Sequence, residues 1–355
     1  MMGKNHVKMS IKFRKEIRHA KFQSPLKNYE SEEQIVEHRY DPLTGHGTVI
    51  TTGRFQYIKK LFESDSQEIA RIVEKTKIGC PFCPEKLALS TPKFSPNIVK
   101  EGKVVVGDSI LFPSLFAHMD HNAIAVLCEE HYLQLKELAP EKLGNAFKAG
   151  LSYIKRLSHV YGKTFYACFI ENYFPLSGST IIHPHMQVIV SDLSFNLLKE
   201  LLEKSEKYYA NYKKNYWLDL IEEEEKSERF VGIDGDIVWF TPYAPLNTYE
   251  VWAVSKKCSS FLDLSNGDLE TFSKGISKVM NFFQDEGLSC FNLALYSGPL
   301  GEDSGKYFRL GLRIVGRSGY KQPFVSDIWG LQAIMMEGES YDTPEDMAQR
   351  LKKYF

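Results

Sequence analysis

The sequence has no long apolar run: no stretch approaches the 18 uninterrupted apolar residues that a membrane-spanning helix needs. The first 22 residues are basic and polar, and they lack the apolar centre of a secretory signal. A formal net charge of −1 provides none of the basic field that non-specific binding to nucleic acid or anionic membrane requires. These absences predict a cytoplasmic protein with a small-molecule partner and with neither nucleic acid nor membrane as a partner.

Cysteine is scarce, and histidine is confined to the first half of the chain. The six cysteines are too widely spread for the disulfide framework of a small secreted domain, and one pair, Cys80 and Cys83, is closely spaced. None of the ten histidines lies beyond His185, so the last 170 residues contain none. Any histidine chemistry therefore lies in the first half. With 355 residues and 43% hydrophobic content, the chain can bury one large core or two of medium size.

The segment His183-Pro184-His185-Met186-Gln187 is the most informative motif. Strand alternation turns His183, His185 and Gln187 to one face, and the apolar run that follows predicts a buried strand. Upstream, the turn Pro175–Thr180 contains glycine and hydroxyl residues whose backbone N–H groups could hold an anion. The pattern suggests phosphoryl chemistry; a His-Pro-His on a surface strand beside an ordinary turn is the alternative.

Cys80 and Cys83 have the two-residue spacing that lets both sulfurs reach one metal ion. Redox activity is the rival interpretation, but a redox pair usually opens a helix in a thioredoxin-like βαβ unit, whereas this pair lies between a charged helix and a proline-rich loop. A structural metal is favoured. Spacing alone leaves four histidines open as further ligands: His118, His121, His131 and His183.

Two isolated residues could bind phosphate. Arg54 follows a predicted strand at 48–52 and could form a charge-assisted clamp, and Asn172 could use its side-chain amide. An arginine at the end of a strand is, taken alone, more often simply solvated.

Strand and helix patterns recur at a spacing of 126 to 128 residues, which predicts a tandem repeat. The matched strands are Asp108–Phe112 with Asp236–Phe240, and Phe165–Ile170 with Phe291–Tyr296. In the second copy, Arg309, Gly311 and Arg313 stand at the three positions of the histidine motif. We therefore expect a second copy that has kept the scaffold and lost the chemistry.

The predicted organisation has four parts. Residues 1–35 form a charged, weakly patterned arm, 36–193 a catalytic domain with the metal site, 194–228 a helical connector, and 229–355 the second, degenerate domain. Helices are predicted near Gln134–Leu138, over Pro140–His159, and over Pro344–Tyr354 with Thr343 as its N-cap.

These residues together resemble the galactose-1-phosphate uridylyltransferase family, the nucleotidyltransferase branch of the histidine-triad superfamily. The resemblance is strong over residues 36–190 and weak over 229–355. It is carried by Arg39–Gly45, Arg54, Cys80 and Cys83, Ala125–His131, Glu171-Asn172, Gly178, Thr180 and His183–Gln187. It implies an α+β fold of two histidine-triad-like half-barrel domains, in which antiparallel sheet packs against helices.

The resemblance also implies the site. A structural zinc ion would be held by Cys80, Cys83, His131 and His183, which selects His131 among the open candidates. His185 would be the nucleophile. The transferred phosphoryl group would be bound by Gln187, with Asn172, Gly178, Ser179 and Thr180 lining its cradle and Arg54 binding phosphate.

The implied activity is nucleotidyl transfer in carbohydrate metabolism, between a nucleoside diphosphate sugar and a sugar 1-phosphate, through a covalent nucleoside-monophosphoryl-histidine intermediate. The resemblance also allows a homodimer. A nucleotide-sugar phosphorylase of the ADP-sugar type, with inorganic phosphate as acceptor, is the close alternative. A histidine-triad nucleotide hydrolase is disfavoured because Gln187 stands where hydrolases carry a third histidine. A non-catalytic, zinc-stabilised nucleotide sensor is disfavoured because a sensor need not keep a nucleophile.

The sequence departs from the family at three places. Ile110-Leu111 precede Phe112 where the uridylyltransferases commonly have an Asn-Asp pair. The second copy has no His-x-His for the family's second metal site, and Phe324–Trp329 replaces an expected Tyr-Glu segment.

Overall fold

The computed structural model describes residues 11–355. Its strands are β1 Arg14–Ser24, β2 Glu30–Tyr40, β3 Gly47–Ile50, β4 Val104–Val106, β5 Ser109–Pro113, β6 His121–Val126, β7 Tyr166–Tyr173, β8 His185–Ser191, β9 Phe230–Asp234, β10 Ile237–Phe240, β11 Tyr249–Ser255, β12 Cys290–Tyr296, β13 Gly311–Arg317 and β14 Gly338–Ser340. Its α-helices are α1 Phe55–Phe62, α2 Ser66–Lys77, α3 Pro84–Ser90, α4 Pro140–Tyr161, α5 Asn196–Tyr212, α6 Tyr216–Glu224, α7 Asn266–Asp285, α8 Gly330–Ala333 and α9 Pro344–Leu351. No helix of this described range combines the length and apolar character needed to cross a membrane.

One antiparallel ten-stranded sheet forms the centre, in the order β4-β5-β6-β8-β7-β12-β13-β11-β10-β9. The order is symmetric about the central β7–β12 pair. One half contains β4, β5, β6, β8 and β7 from edge to centre, and the other contains β9, β10, β11, β13 and β12 in the corresponding places. Each half contributes one long helix, α4 or α7. The predicted tandem repeat and α+β class are therefore confirmed.

The strand register tests the predicted equivalences residue by residue. Val126 pairs with His185 as Val254 pairs with Gly311, and Ile124 pairs with Gln187 as Trp252 pairs with Arg313. These pairs confirm the spacings of 126 and 128. The match of Phe165–Ile170 with Phe291–Tyr296 was wrong by two residues, because Ile170 pairs with Gln187 whereas Ala294 pairs with Arg313. A shift of two keeps every side chain on its face, so apolar alternation cannot detect it.

Helices α4 and α7 cover one face of the ten-stranded sheet. Each crosses the sheet at a glycine, where a Cβ would collide with a side chain of the sheet: Gly150 lies against Phe169, and Gly275 lies against Trp239. Replacing either glycine would therefore push the helix away from the core.

The opposite face carries the histidine motif in the first half and is filled in the second. The predicted connector folds as α5 and α6, and its apolar side chains pack over the second-half strands. There the guanidinium carbon of Arg313 lies 4.0 Å from the ring centre of Trp252, and its Nε donates to Tyr296 Oη at 3.2 Å. The position that corresponds to Gln187 is thus occupied by the protein's own side chains.

The stretch expected to be a weakly patterned arm is, from Arg14 on, a β-hairpin; residues 1–10 lie outside the described range. Strands β1 and β2 pair over eleven residues and join β3 and β14 in a four-stranded sheet. Both hairpin strands are largely exposed, so charged side chains occupy both faces and leave no apolar alternation to recognise.

The carboxyl-terminal helix fixes this smaller sheet to the rest of the chain. Arg39 of β2 donates two hydrogen bonds to Glu345 of α9, at 2.9 and 3.0 Å. Thr343 caps α9 by accepting from the N–H of Asp346 at 3.1 Å, as predicted. The helix expected near Gln134–Leu138 is shorter, a single 3-10 turn at Leu135–Glu137.

Candidate active site

Two cysteines and two histidines meet in a buried cluster at the amino-terminal end of β8. The ligand atoms of Cys80, Cys83, His131 and His183 all lie within 4.8 Å of one another. The Sγ of Cys83 is 3.5 Å from Nδ1 of His131 and 3.7 Å from Nδ1 of His183. Tetrahedral zinc with ordinary Zn–S and Zn–N bonds gives sulfur-to-nitrogen edges of about 3.5 Å. The donor set and its dimensions therefore fit a closed structural zinc site.

Both imidazoles are oriented by a second hydrogen bond. Nε2 of His183 lies 2.8 Å from the carbonyl oxygen of Cys128. Nε2 of His131 lies 3.1 Å from Oγ1 of Thr76, whose hydroxyl proton is donated to the carbonyl of Ile72 at 2.7 Å. Each ring thus donates from Nε2 and directs Nδ1 into the cluster, the arrangement that fixes metal-ligating histidines. Burial and the adjacent Cys80 raise the pKa of the Cys83 thiol to about 11.

His185, the first residue of β8, is held in one orientation. Its Nδ1 donates to the carbonyl oxygen of His183 at 2.7 Å, which leaves Nε2 with a lone pair and without a hydrogen bond to the described residues, on the strand face opposite the helices. The ring of Phe82 meets it edge-on, with centroids 5.2 Å apart. Desolvation lowers the pKa of His185, so the ring is neutral near pH 7. A neutral imidazole with a free Nε2 is a competent nucleophile.

Gln187 follows on the same face of β8, between Ile124 and Ile170 on the neighbouring strands. Its Oε1 accepts from Nδ2 of Asn122 at 3.4 Å. The Nε2 group of Gln187 is therefore turned away from Asn122 and can donate to an anion beside His185.

The pair Glu171-Asn172 is divided between the two faces of β7. Asn172 lies on the same face as Ile170 and therefore on the same face as Gln187. Glu171 points to the helix side, is fully buried, and has no hydrogen-bond partner for either oxygen within residues 11–355. Burial raises the pKa of Glu171 to about 8. The Asn172 amide thus lies on the face of Gln187, and the Glu171 carboxyl group belongs to the core.

The turn after β7 closes largely on itself. The N–H of Gly178 donates to Pro175 at 2.9 Å, the N–H of Ser179 donates to Phe174 at 3.3 Å, and the Ser179 hydroxyl donates to Ile181 at 2.7 Å. Gly178 adopts φ +96°, a conformation that favours glycine. Thr180 is exposed, and neither its N–H nor its hydroxyl has a hydrogen bond within the described chain. Of the three turn residues in the predicted cradle, Thr180 therefore has donors without a partner among the described residues.

Arg54 lies beside the four-stranded sheet. It ends a 3-10 turn between β3 and α1 and is exposed, with no hydrogen bond or ion pair to the described residues. Its positive charge acts on Tyr341, which follows β14 of the four-stranded sheet. The other predicted residues gather around the ten-stranded sheet.

Three side chains at the site had no role in the sequence prediction: Phe82, Asn122 and Asn292. Phe82 packs edge-on against Phe112, with ring centroids 5.6 Å apart, and forms an apolar wall beside His185 with Ile110 and Ile124. An aromatic residue inside the Cys-x-x-Cys motif was a visible signal for this wall. An apolar cavity of about 300 Å³ opens on the same face, lined in part by Ile170, the cross-strand neighbour of Gln187.

The strand order and the repeated helix define a tandem histidine-triad-like α+β fold, the fold of galactose-1-phosphate uridylyltransferase-like proteins. Two structures from Arabidopsis thaliana, a GalT-like protein and an ADP-glucose phosphorylase with bound ADP-glucose, each match with a TM-score of 0.67 at 16% identity. They cover 90% of this chain, and 98% and 99% of their own. A uridylyltransferase structure matches with a TM-score of 0.60 at 18% identity, over 70% of this chain and 84% of its own.

In sequence, no protein-family model matches the chain. A protein of Archaeoglobus fulgidus, named only as uncharacterized, is 27% identical over 343 residues, which is 97% of this chain and 98% of that protein. The structural matches confirm the predicted fold.

Proposed function

We propose that this protein is a nucleotidyltransferase that moves a nucleoside monophosphoryl group from a nucleoside diphosphate sugar to a sugar 1-phosphate through a covalent intermediate on His185. The observation that carries the proposal is the hydrogen bonding of His185: its Nδ1 donates to the His183 carbonyl, and its Nε2 has no hydrogen bond to the described residues. The amides of Gln187 and Asn172 lie on the same face, where phosphoryl oxygens would need donors.

The reaction proceeds in two displacements that balance without an external proton donor. In the first, the Nε2 lone pair attacks the α-phosphorus, and the bond from this phosphorus to the bridging oxygen breaks, so that the sugar 1-phosphate leaves with the electron pair. In the second, an oxygen of the incoming sugar 1-phosphate attacks the same phosphorus, and the P–N bond breaks back to Nε2. Gln187 and Asn172 would neutralise the phosphoryl oxygens in both steps.

Zinc is the metal that best suits the Cys80, Cys83, His131 and His183 cluster, and its chemistry there is structural. Four protein ligands leave no open coordination position, so the ion would hold the start of β8 in place. Because His183 is a ligand and also accepts the His185 proton through its carbonyl, the cluster fixes the orientation of the nucleophile.

The apolar wall beside His185 suits the nucleobase. Phe82 meets the imidazole edge-on and, with Phe112, backs the half-buried Ile110 and Ile124, which a base attached through its ribose to the His185-bound phosphate would contact. Ile110 and Leu111 offer no side-chain hydrogen bond to the base, and Leu111 is fully buried on the helix side. Contacts at this wall would therefore be mainly apolar.

A phosphorylase that uses an ADP-sugar and inorganic phosphate is the second candidate. Two observations favour it: the apolar residues Ile110 and Leu111 replace the Asn-Asp pair that commonly holds uridine, and the ADP-glucose phosphorylase shares the fold over 90% of this chain. The first displacement is unchanged, and phosphate replaces the sugar 1-phosphate in the second.

The test is intact-mass measurement after incubation with UDP-glucose, UDP-galactose, ADP-glucose and GDP-mannose separately. A gain equal to one nucleoside monophosphate identifies the base, and its discharge by sugar 1-phosphate or by inorganic phosphate separates the two candidates. His185→Ala should give no gain, whereas His159→Ala, at an exposed position on α4, should behave as wild type. No mass gain with any donor, or hydrolysis as fast as transfer, would remove the transferase proposal.

A further inference from the structure

A chain of hydrogen bonds runs from the second half of the molecule to Asn172. Nε of Arg317 donates to Asp327 at 2.8 and 3.0 Å, and Nη1 of Arg317 donates to Oδ1 of Asn292 at 2.6 Å. Nδ2 of Asn292 then donates to Oδ1 of Asn172 at 2.6 Å and to the carbonyl oxygen of Ser177 at 2.9 Å. The chain thus links the second repeat to both the strand and the turn of the site.

The chemistry of these groups permits one direction only. A guanidinium can donate but not accept, and a backbone carbonyl can accept but not donate. Arg317 on one side and Ser177 on the other therefore fix which end of the Asn292 amide is oxygen and which is nitrogen. Because the Asn292 nitrogen meets Asn172, the Asn172 oxygen must face Asn292, and the Asn172 NH₂ group is turned away from it.

The Arg317–Asp327 end of this hydrogen-bond network is rigid because it is buried. Arg317 and Asp327 are 9% and 5% exposed. Asp327 also accepts from the N–H of Ser318 at 3.3 Å, from the Ser318 hydroxyl at 3.0 Å, and from Nδ2 of Asn247. With its partners held from several sides, Asn292 has no alternative orientation of comparable energy.

The Asn172 end of the hydrogen-bond network is directed at the phosphoryl group that His185 would carry. Asn172 pairs with Asn292 across the β7–β12 joint. On its other side, Asn172 lies on β7 two residues beyond Ile170, the partner of Gln187, and therefore beside the start of β8 at His185. Phosphoryl oxygens at His185 need N–H donors, whereas a flipped Asn172 amide would present an oxygen to them.

We propose that Asn292 is a positioning residue: anchored by Arg317 and Asp327, it sets the orientation of Asn172 and holds the Ser177 turn, so that the degenerate second repeat completes the first repeat's phosphoryl-binding site. This inference rests on the proposed function. It assigns a part in the reaction to a repeat that has no nucleophile of its own.

The experiment is a double-mutant cycle on the exchange between nucleotide sugar and labelled sugar 1-phosphate or phosphate, whichever acceptor the mass experiment identifies. Asn292→Ala should lower kcat by about ten- to a hundredfold, because an Asn172 NH₂ group that points the wrong way stabilises the transition state little better than a missing one. KM should change less. In an Asn172→Ala background, the same substitution should cause a clearly smaller loss, because the part of its effect that passes through Asn172 is already gone and only its contact with the Ser177 turn remains. Metal content and melting temperature are measured for every variant.

A second variant keeps the test open if the alanine variant folds poorly. Asn292→Asp preserves the size of the side chain and its contact with Arg317 but has no N–H to donate, so it should lose activity like Asn292→Ala. Asn215→Asp is the matched control for the loss of a buried NH₂ group: the aspartate keeps the oxygen that caps α6 but cannot donate to the carbonyls of Gly305 and Phe308, at 3.2 and 3.4 Å, as Asn215 does. The control should keep the wild-type kcat.

The outcomes separate this inference from the proposed function. If the losses from Asn172→Ala and Asn292→Ala multiply independently, or if Asn292→Asp exchanges at the wild-type rate, the positioning role is overturned while the transferase proposal stands. If the wild-type protein forms no adduct and exchanges nothing, both are overturned.

Discussion

Replacing Glu171 by glutamine should change how the stability of this protein depends on pH. Glu171 lies on the helix face of β7, opposite Leu293 of β12, with both carboxyl oxygens buried and without a hydrogen-bond partner among residues 11–355. Burial without a compensating charge raises the pKa of Glu171 to about 8. The folded protein therefore keeps this carboxyl protonated at neutral pH, whereas the unfolded chain ionises it near its ordinary pKa of 4.5.

The sign and size of this pH dependence follow from proton linkage. Between pH 4.5 and about 8 the folded state keeps the Glu171 proton and the unfolded state releases it. The contribution of Glu171 to stability is therefore full below the unfolded pKa and is lost as pH rises through the folded pKa. At about 1.4 kcal/mol for each unit of pKa, the difference between about 8 and 4.5 corresponds to a loss on the order of 5 kcal/mol. Glutamine does not titrate, so Glu171→Gln removes this loss.

The assay is the free energy of unfolding from urea titrations at pH 5, 6, 7 and 8.5 for wild type and Glu171→Gln. The free energy of unfolding of wild type minus that of the variant should fall by several kcal/mol across this range. The contributions of the thiols and histidines cancel in this difference, because both proteins contain them. Glu203→Gln, at an exposed position on α5, is the control and should run parallel to wild type. Parallel profiles for Glu171→Gln would show that the carboxyl group is ionised or solvated in the folded protein, which would refute the reasoning.

Four further predictions test the site. His185→Ala should abolish the covalent adduct and the exchange reaction and should leave metal content and melting temperature unchanged. Continued exchange of label would contradict the assignment of His185 as the nucleophile. Cys80→Ser should lose bound zinc, measured by elemental analysis, and lower the melting temperature, because a structural tetrahedral site contributes to folding free energy; an unchanged melting temperature and a protein purified without zinc would contradict the metal. Gln187→Ala should lower kcat and kcat/KM together, as expected when a contact is made mainly in the transition state, and a rise in KM alone would contradict this role. Arg54→Ala should chiefly raise KM, by a factor equivalent to the roughly 1.5–3 kcal/mol of one charged hydrogen bond, and unchanged steady-state kinetics would show that Arg54 is only solvated.

The metal cluster illustrates what the sequence can predict. Cys80 and Cys83 are neighbours along the chain, so their shared geometry follows from spacing alone. His131 and His183 are 48 and 100 residues beyond Cys83, and only the fold brings them together. The spacing left four histidines open, and the resemblance to a known motif named the two that the structure places beside the cysteines.

Asn292 illustrates what the sequence could not predict. The spacing of 126 residues aligned Asn292 with Tyr166, whereas the register aligns it with Cys168. The error was invisible because a shift of two residues leaves the inward and outward faces of a strand unchanged. More fundamentally, Asn292 acts through a pairing between the two repeats, and a comparison of one repeat with the other contains no information about how they join.

The joint between the repeats also shows what the second repeat contributes to the structure around the candidate site. Strand β7, which carries Asn172, has β8 on one side and β12 on the other, so the second repeat supplies half of its hydrogen-bonding partners. Without β12, an edge of β7 would be exposed beside His185, and the Asn172 oxygen would lose the Asn292 N–H that it accepts from. Around Arg313, the protein's own side chains fill the position that corresponds to Gln187. The contact of the second repeat with the candidate site lies at the joint, where β12 continues the sheet and its Asn292 donates to Asn172.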